Sequence, residues 1–434
     1  MSDTSRLRRQ PLQLRPDPAR VLVRPFKPAI EPRERNQTDE DASHRIIDRV
    51  AALGADGAQE ILAETLDRFC GRHRNLLTTL ELRAREMETA LDYHSDFTEV
   101  QRQLVGAYFL NEYAFEAAAL FNPSIIAHPD QTGAPEGGLR FILSLRAVGE
   151  GHISSLTFRT GRLFANGDVS IDPGALLAST PEFITRLWGK GGDVIEVAFN
   201  AKHDVSERVI FPITESQSNG IEDARFVQFQ DGADTRYYAT YTAYNGRAIR
   251  SELIETSDFV SFRMTPLRGS ASRGKGMALF PRKLGGKYAM IGRQDNENLY
   301  LNYSDDLYSW HGGDVILSPV FPWEFLRLGN CGSPIELDEG WLLLTHGVGP
   351  LRQYAMGAAL LDKSDPSRVI ARSSAPLIRP EQSEREGYVP NVVYSCGALR
   401  HGDLIVLPYA LSDTVTVLAT VTIREILAHL GLGV

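Results

Sequence analysis

The sequence predicts an all-β fold, a five-bladed β-propeller, with an N-terminal α-helical extension. Three observations predict it. Apolar residues recur at three- and four-residue steps up to about residue 120 and in short alternating runs after it. The later region repeats a unit of three or four strands with a period of about 60 residues. Five such units fill it, each turning on Gly, Asp or Asn, and regular repeats of this kind bury their faces against one another around a central channel.

The composition sets the outer limits. Apolar residues make up 43% of 434 and charged residues 23%, as in ordinary globular proteins. No run approaches the roughly 20 apolar residues of a spanning helix, so a membrane location is not expected. A net charge of −9 argues against nucleic acid as a partner. Cys70, Cys331 and Cys396 are too few and too scattered for a disulfide framework or a structural zinc site.

Residues 1–38 form a basic, proline-rich arm. Residues 1–35 hold nine basic and four acidic side chains, broken by Pro11, Pro16, Pro18, Pro25, Pro28 and Pro32. The arm reads as a solvated extended tail, with a tether to an acidic partner or to a neighbouring subunit as the other reading. Its longest apolar fragment, Val21–Val23, falls short of the roughly 7–15 residues of an export signal, so the cytoplasm is expected.

Residues 39–118 read as three or four helices. Their apolar stripes are Ile46, Ile47, Val50 and Leu53; Ile61, Leu62, Leu66 and Phe69; Leu76, Leu77, Leu80, Leu82 and Met87; and Val100, Leu104, Tyr108 and Leu110. Gly54, Gly71 and Tyr93–Asp96 are the expected breaks, with Asp96 capping the last helix. The extension is a candidate surface for homo-oligomer formation.

Residues 119–434 carry the five units. They are Phe141–Val148 with His152–Phe164, Arg225–Tyr244 with Ala248–Asp258, Ala278–Arg293 with Asn298–Trp310, Ser333–Val348 with Tyr354–Asp362, and Val392–Ala410 with Thr414–Val421. Ile423–Leu432 reads as a short helix or a closing strand.

In a propeller the ligand site lies where inner strands converge on one channel mouth. Asn219–Arg225 stands out, because two adjacent carboxylates and an arginine open a strand beside a glycine. It suits acid–base chemistry or, equally, a surface turn with a salt bridge. Lys275, Arg293 and His346 fall at corresponding places in later units, with Arg327, Arg352 and Tyr354 near them. Converging, they would make an anion site, since such side chains give charge-assisted hydrogen bonds to phosphate oxygens. The ten histidines show no metal-ligand spacing, so no metal and no cofactor are expected. Gly285–Gly286 and Gly232 read as hairpin turns, and Ser154–Ser155 lacks the context of a hydrolase serine.

The stretch Gly220–Arg225 followed by Tyr237–Tyr244 resembles the signature of glycoside hydrolase family 130, which comprises β-mannoside phosphorylases and some β-mannosidases. Phe121–Pro123, Ala278–Pro281, Gly340–Val348, Gly357–Asp362 and Val389–Val393 agree with it, in order, across residues 118–425. The resemblance implies a five-bladed propeller and an inverting phosphorylase. Asp223 would protonate the glycosidic oxygen through a sugar hydroxyl, while inorganic phosphate, as co-substrate, attacks the opposite face to give α-mannose 1-phosphate. It also implies phosphate binding by Lys275, Arg293, Arg327, His346 and Tyr354, and mannosyl binding by Asn122, Arg146, Glu222 and Asp413. Ala224, Gly276 and Gly329–Pro334 depart from the family's usual residues. A β-mannosidase is the alternative, with Glu324, Glu384 or Glu386 as the second carboxylate that hydrolysis requires. A non-catalytic sugar-binding propeller is the other.

Overall fold

A computed structural model of the chain describes residues 7–28, 39–93, 96–189 and 192–433. In chain order it begins with strands β1 (Arg8–Leu14) and β2 (Leu22–Pro25). Helices α1 (Asp39–Ala52), α2 (Gly54–Phe69), α3 (Leu76–Ala90) and α4 (Glu99–Tyr108) follow, then β3 (Leu110–Tyr113). Next come β4 (Ala119–Ala127), β5 (Leu139–Val148), β6 (Ser154–Leu163), β7 (Val169–Ile171), β8 (Phe183–Gly189), β9 (Gly192–Ala198) and β10 (Val209–Ile210). They are followed by β11 (Gly220–Asp231), β12 (Asp234–Tyr244), β13 (Ile249–Thr256) and β14 (Ser261–Pro266). The third group is β15 (Ala278–Leu279), β16 (Tyr288–Gly292), β17 (Leu299–Ser304) and β18 (Asp314–Leu317). The fourth is β19 (Arg327–Asn330), β20 (Ile335–Glu336), β21 (Trp341–Val348), β22 (Tyr354–Leu361) and β23 (Val369–Arg372). The last is β24 (Val393–Tyr394), β25 (Leu399–His401), β26 (Leu404–Leu411) and β27 (Val415–Thr422), closed by α5 (Ile423–His429).

The fold is mostly β. One compact unit holds β1 and the chain from Glu116 onward apart from Leu176–Ser179; the other holds Pro18–Phe115. In the β-rich unit, β4, β5 and β6 run on through β11–β14 to β9 and β8 in one sheet. Three further sheets are β15–β18, β19 with β20–β23, and β24–β27 with β1 at the edge. Buried cores lie between successive strand groups. Phe158, Phe226, Phe259 and Phe262 fill the first, with ring centroids 5.6–6.2 Å apart in the pairs Phe158–Phe226, Phe158–Phe262 and Phe226–Phe259. Leu279, Met290 and Trp310 pack on Val227 and Leu253; Ile291 and Leu301 pack on Trp341 and Leu343; Leu344 and Met356 pack on Leu407 and Tyr409. Ala410 packs on Phe121 and Val148, joining the last group to the first.

The basic arm departs from the sequence expectation. Residues 8–14 are not a solvated tail: β1 pairs with β27 over Arg8–Leu14, and Arg9 forms ion pairs with Glu381 at 2.6 Å and Glu384 at 2.7 Å. Leu7 packs beside the last core, and backbone pairing to an open strand edge outweighs solvation of the charges. Residues 1–6 and 29–38 of the arm lie outside the described residues.

In the helical unit, Ile47, Val50, Ala58, Ala84, Met87, Leu104 and Val105 form the core. Leu76, Leu80 and Met87 are buried along α3, whereas Leu77 and Leu82, expected in the same stripe, are 42% and 58% exposed. The 3.6-residue period carries those two to the solvent side. Leu53 ends exposed in the junction before Gly54. Thr98, not Asp96, caps α4: its hydroxyl accepts from the Gln101 amide, and the Gln101 side chain bonds back to the Thr98 amide. His94 and Ser95 of the expected break lie outside the described residues. Among the described residues no helix is long and apolar enough to cross a membrane.

Candidate active site

Asp223 is aimed by a pair of bulges. The β11–β12 register slips by one residue between Glu222 and Arg225, and the β4–β5 register slips likewise between Phe121 and Ser124. The bulged residues, Asp223 and Asn122, have φ of 53° and 47°, in the left-handed region where Asp and Asn are among the best-tolerated side chains. Burial of Ile221, Ala224 and Phe226 in the aromatic core fixes the strand on both sides of the bulge. Aromatic pairs of that kind contribute about 0.5–1.5 kcal/mol each beyond their buried area.

The two bulges meet. Asn122 Nδ2 donates to Asp223 Oδ1 at 2.7 Å, and Arg146 Nη1 donates to the same oxygen at 3.2 Å. Arg146 also reaches Glu222 Oε1 at 2.7 Å and Ser154 Oγ at 2.9 Å, with its guanidinium 5.0 Å from the Phe121 ring centre. Asp413 sits in the turn between β26 and β27, where Ser412 and Asp413 both have positive φ. The two neighbouring carboxyls are driven apart. Burial pushes Asp413 up to about 7, helped by the charge of Asp223 and opposed by Arg146, Arg352 and Lys275. Burial would raise Asp223 too, but Arg146, Arg225, Lys275 and the Asn122 hydrogen bond together hold it at about 2. Above about pH 2 and below about pH 7 the proton of this pair is therefore on Asp413 and the negative charge on Asp223.

The second group is cationic and aromatic. Arg225 spans both groups, donating to the Asp223 carbonyl at 2.8 Å and to the Tyr394 hydroxyl at 2.6 Å. Arg293 Nη1 lies 3.4 Å from His346 Nε2, and His346 Nδ1 lies 3.2 Å from the Asn330 carbonyl. A carbonyl accepts only, so Nδ1 carries the proton and Nε2 accepts from the guanidinium. Burial, then Arg293 and Arg225, hold His346 well below its ordinary range, which keeps it neutral. Burial also lowers Arg293, with Arg225 and Arg327 adding to the effect. The His346 ring stacks on Tyr354 at 5.8 Å and meets Tyr394 at 4.7 Å. Among the described residues Asn122 Oδ1, Arg225 Nε and Arg293 Nε are buried with no hydrogen-bond partner.

The structure thus brings together the residues singled out from sequence. Asn122, Arg146, Glu222 and Asp223 are directly bonded, with Asp413 and Lys275 within electrostatic reach. Arg293, His346 and Tyr354 form one cluster that the charge of Arg327 reaches. Two participants escaped the sequence reading of the site. Tyr394 carried no signal in its Val-Val-Tyr-Ser-Cys run, and Asn330, which fixes the His346 tautomer through its backbone, could not have been found from side-chain chemistry. A repeat relation was also missed. Arg146 pairs with Leu156 and Val148 with Ser154, while His346 pairs with Met356 and Val348 with Tyr354. The same hairpin, offset by 200 residues, supplies Arg146 with Ser154 at one side of the site and His346 with Tyr354 at the other.

The candidate second carboxylates are engaged elsewhere. Glu324 is buried, paired with Arg372 at 2.6 Å and accepting from the Val320 and Phe321 amides. Glu384 pairs with Arg9, and Glu386 is exposed.

Residues 193–431 match the sequence profile of glycoside hydrolase family 130, described as β-1,4-mannooligosaccharide phosphorylase. The chain belongs to glycoside hydrolase family 130. It is 36% identical over 218 residues to a 1,2-β-oligomannan phosphorylase of Thermoanaerobacter sp. (strain X514), a match spanning 49% of this chain and 72% of that one. It is 34% identical over 231 residues to a β-1,2-mannobiose phosphorylase of Listeria innocua serovar 6a, spanning 51% of this chain and 63% of that one. The fold is similar to that of a solved β-1,2-mannobiose phosphorylase from Listeria innocua, with a TM-score of 0.54 and 22% identity over 72% of this chain and 92% of that one. Family 130 membership agrees with the resemblance carried by the Gly220–Arg225 motif.

Proposed function

We propose that this family 130 protein is an inverting β-mannoside phosphorylase, releasing α-mannose 1-phosphate. One observation carries the reading: a buried carboxylate, Asp223, is bonded to Asn122 and Arg146 on one side and is joined through Arg225 to a cluster of cations, neutral imidazole and phenols on the other. The unmet donors of Arg225 and Arg293 suit an oxyanion.

A phosphate oxygen forms the bond to the anomeric carbon as the glycosidic bond breaks, and the electron pair passes to the leaving oxygen. That oxygen takes a proton from Asp223 through a sugar hydroxyl. Asp223 must first gain the proton, and a phosphate dianion beside Arg225 and Lys275 favours this, because it offsets their part of the positive field that holds the carboxyl low. Hydrogen phosphate loses one proton on becoming the monoester dianion, and the leaving alcohol gains one, so the carboxyl pair is restored each turnover.

The hydrolytic alternative is less well supported. Glu324 and Glu384, two of the candidate second carboxylates, are held in other ion pairs. The succession of cores between strand groups, returning from the last to the first, supports a five-bladed propeller as the scaffold. Relatives at 34–36% identity are named for β-1,2 linkages, so β-1,2-mannobiose is the first substrate to test. The test is mannose 1-phosphate formation with and without inorganic phosphate. Equal rates of free mannose release in its absence would replace this reading with a hydrolase.

A further inference from the structure

Resting on that reading, we infer that Tyr388 and His152 form the platform for the acceptor sugar, the unit that leaves in phosphorolysis and attacks in synthesis. The two side chains come from segments 236 residues apart and share a 2.6 Å hydrogen bond between the Tyr388 hydroxyl and His152 Nδ1. Their ring centres are 5.8 Å apart at 42°. Both are exposed, Tyr388 to 45%. An ordered aromatic pair open to solvent presents apolar ring faces and a polar edge together, which is what the C–H faces and hydroxyls of a sugar require.

Their anchoring ties the pair to the site. The Tyr388 amide donates to Thr414 Oγ1 at 2.7 Å and the Val389 amide to the Ser412 carbonyl at 3.0 Å, so Tyr388 flanks the turn that carries Asp413. Gly387 permits this approach, since a Cβ there would stand 2.5 Å from Thr414 Oγ1. His152 lies in the turn between β5, which bears Arg146, and β6, whose Ser154 holds Arg146 Nε. Gly151 and His152 have φ of 65° and 60°, so the turn is a defined left-handed one.

The direction follows from inversion. Nucleophile and leaving group lie on opposite faces of the mannosyl ring. The phosphate-side set is Arg225, Lys275, Arg293, His346, Tyr354 and Tyr394, whereas Tyr388 and His152 are anchored beside Asp413 and Arg146 of the mannosyl set, and the pair is assigned to the leaving sugar on that ground. The repeated hairpin sharpens the contrast. At the position 200 residues beyond His152 stands Arg352, a cation 5.9 Å over Tyr354 whose charge also reaches Asp413. The two equivalent turns thus carry a cation in one copy and half of an aromatic pair in the other.

The experiment runs the reaction in synthesis, with mannose 1-phosphate as donor and mannose or β-1,2-mannobiose as acceptor. Tyr388→Ala is expected to raise the acceptor KM about tenfold while the mannose 1-phosphate KM stays within about twofold. Tyr388→Phe, which keeps the ring and loses the bond to His152, is expected to fall between. An unchanged acceptor KM in Tyr388→Ala, or a donor KM raised to the same degree, overturns the platform. If the wild-type protein makes no product, the phosphorylase reading fails instead. Calorimetric titration of wild type and Tyr388→Ala with mannobiose then decides the platform alone, equal affinities refuting it.

Discussion

Replacing Asp413 by Asn gives a protein whose stability relative to wild type depends on pH in a set direction. In the folded chain Asp413 keeps its proton to about pH 7, while in the unfolded chain it ionises near the ordinary 3.8. Between those values the native state binds one more proton than the unfolded state, so the contribution of Asp413 to stability falls as pH rises, by about 1.4 kcal/mol per pH unit. From pH 5 to pH 8 the fall is about 3 kcal/mol, levelling off once the folded carboxyl has ionised. Asn keeps the shape and cannot ionise. The variant should therefore exceed wild type by about 1.6 kcal/mol at pH 5 and by about 4 kcal/mol at pH 8, the two converging only below about pH 4. Asp223 does not confuse the comparison, because its lowered pKa places its own effect below pH 4. Urea unfolding at four or five pH values, followed by tryptophan fluorescence, measures the difference. Parallel curves for the two proteins would refute the burial argument, and with it the assignment of the shared proton to Asp413.

Asp223→Asn should lower turnover of an unactivated β-mannoside by about 10²–10⁴-fold, the range for a lost general acid, as measured by mannose 1-phosphate release. Arg293→Ala should raise the phosphate KM about tenfold to a hundredfold and change the mannoside KM little, since the side chain belongs to the cationic cluster; a selective rise in the mannoside KM would contradict that placement. Gly329→Ala would put a Cβ 2.2 Å from His346 Cε1, so it should lower the melting temperature and weaken phosphate binding together. A variant as stable and as phosphate-responsive as wild type would show that His346 can move aside freely.

Much of the site was legible because its chemistry is local. Gly220–Arg225 announces an acid by placing Glu222, Asp223 and Arg225 at a strand entry, and the bulge that turns Asp223 inward lies within those residues. Asn122, Arg146 and Asp413 became meaningful only through the family resemblance, since their convergence depends on three separate strand pairings. Tyr394 was invisible, as a tyrosine in an apolar run reads as core until Arg225 is seen to donate to it. The arm was misread for a related reason. Basic residues and prolines describe a chain segment by itself, whereas a strand is completed by its partner, and β27 lies some 400 residues away. The misplaced Leu77 and Leu82 show the narrower limit that apolar count says less than helical phase.

The β1–β27 pairing also bears on how the molecule comes into being. A ladder joining Arg8 to Thr420 cannot form until residue 420 has left the ribosome. Synthesis at about 5–20 residues per second leaves the edge of β27's sheet incomplete until then, with the early segment unpartnered for tens of seconds. Loop-closure entropy grows only by about 0.6 kcal/mol per doubling of length, so the delay is a matter of timing more than of equilibrium. The consequence is a late and cooperative final step, in which the earliest strand to be made is among the last to find its place.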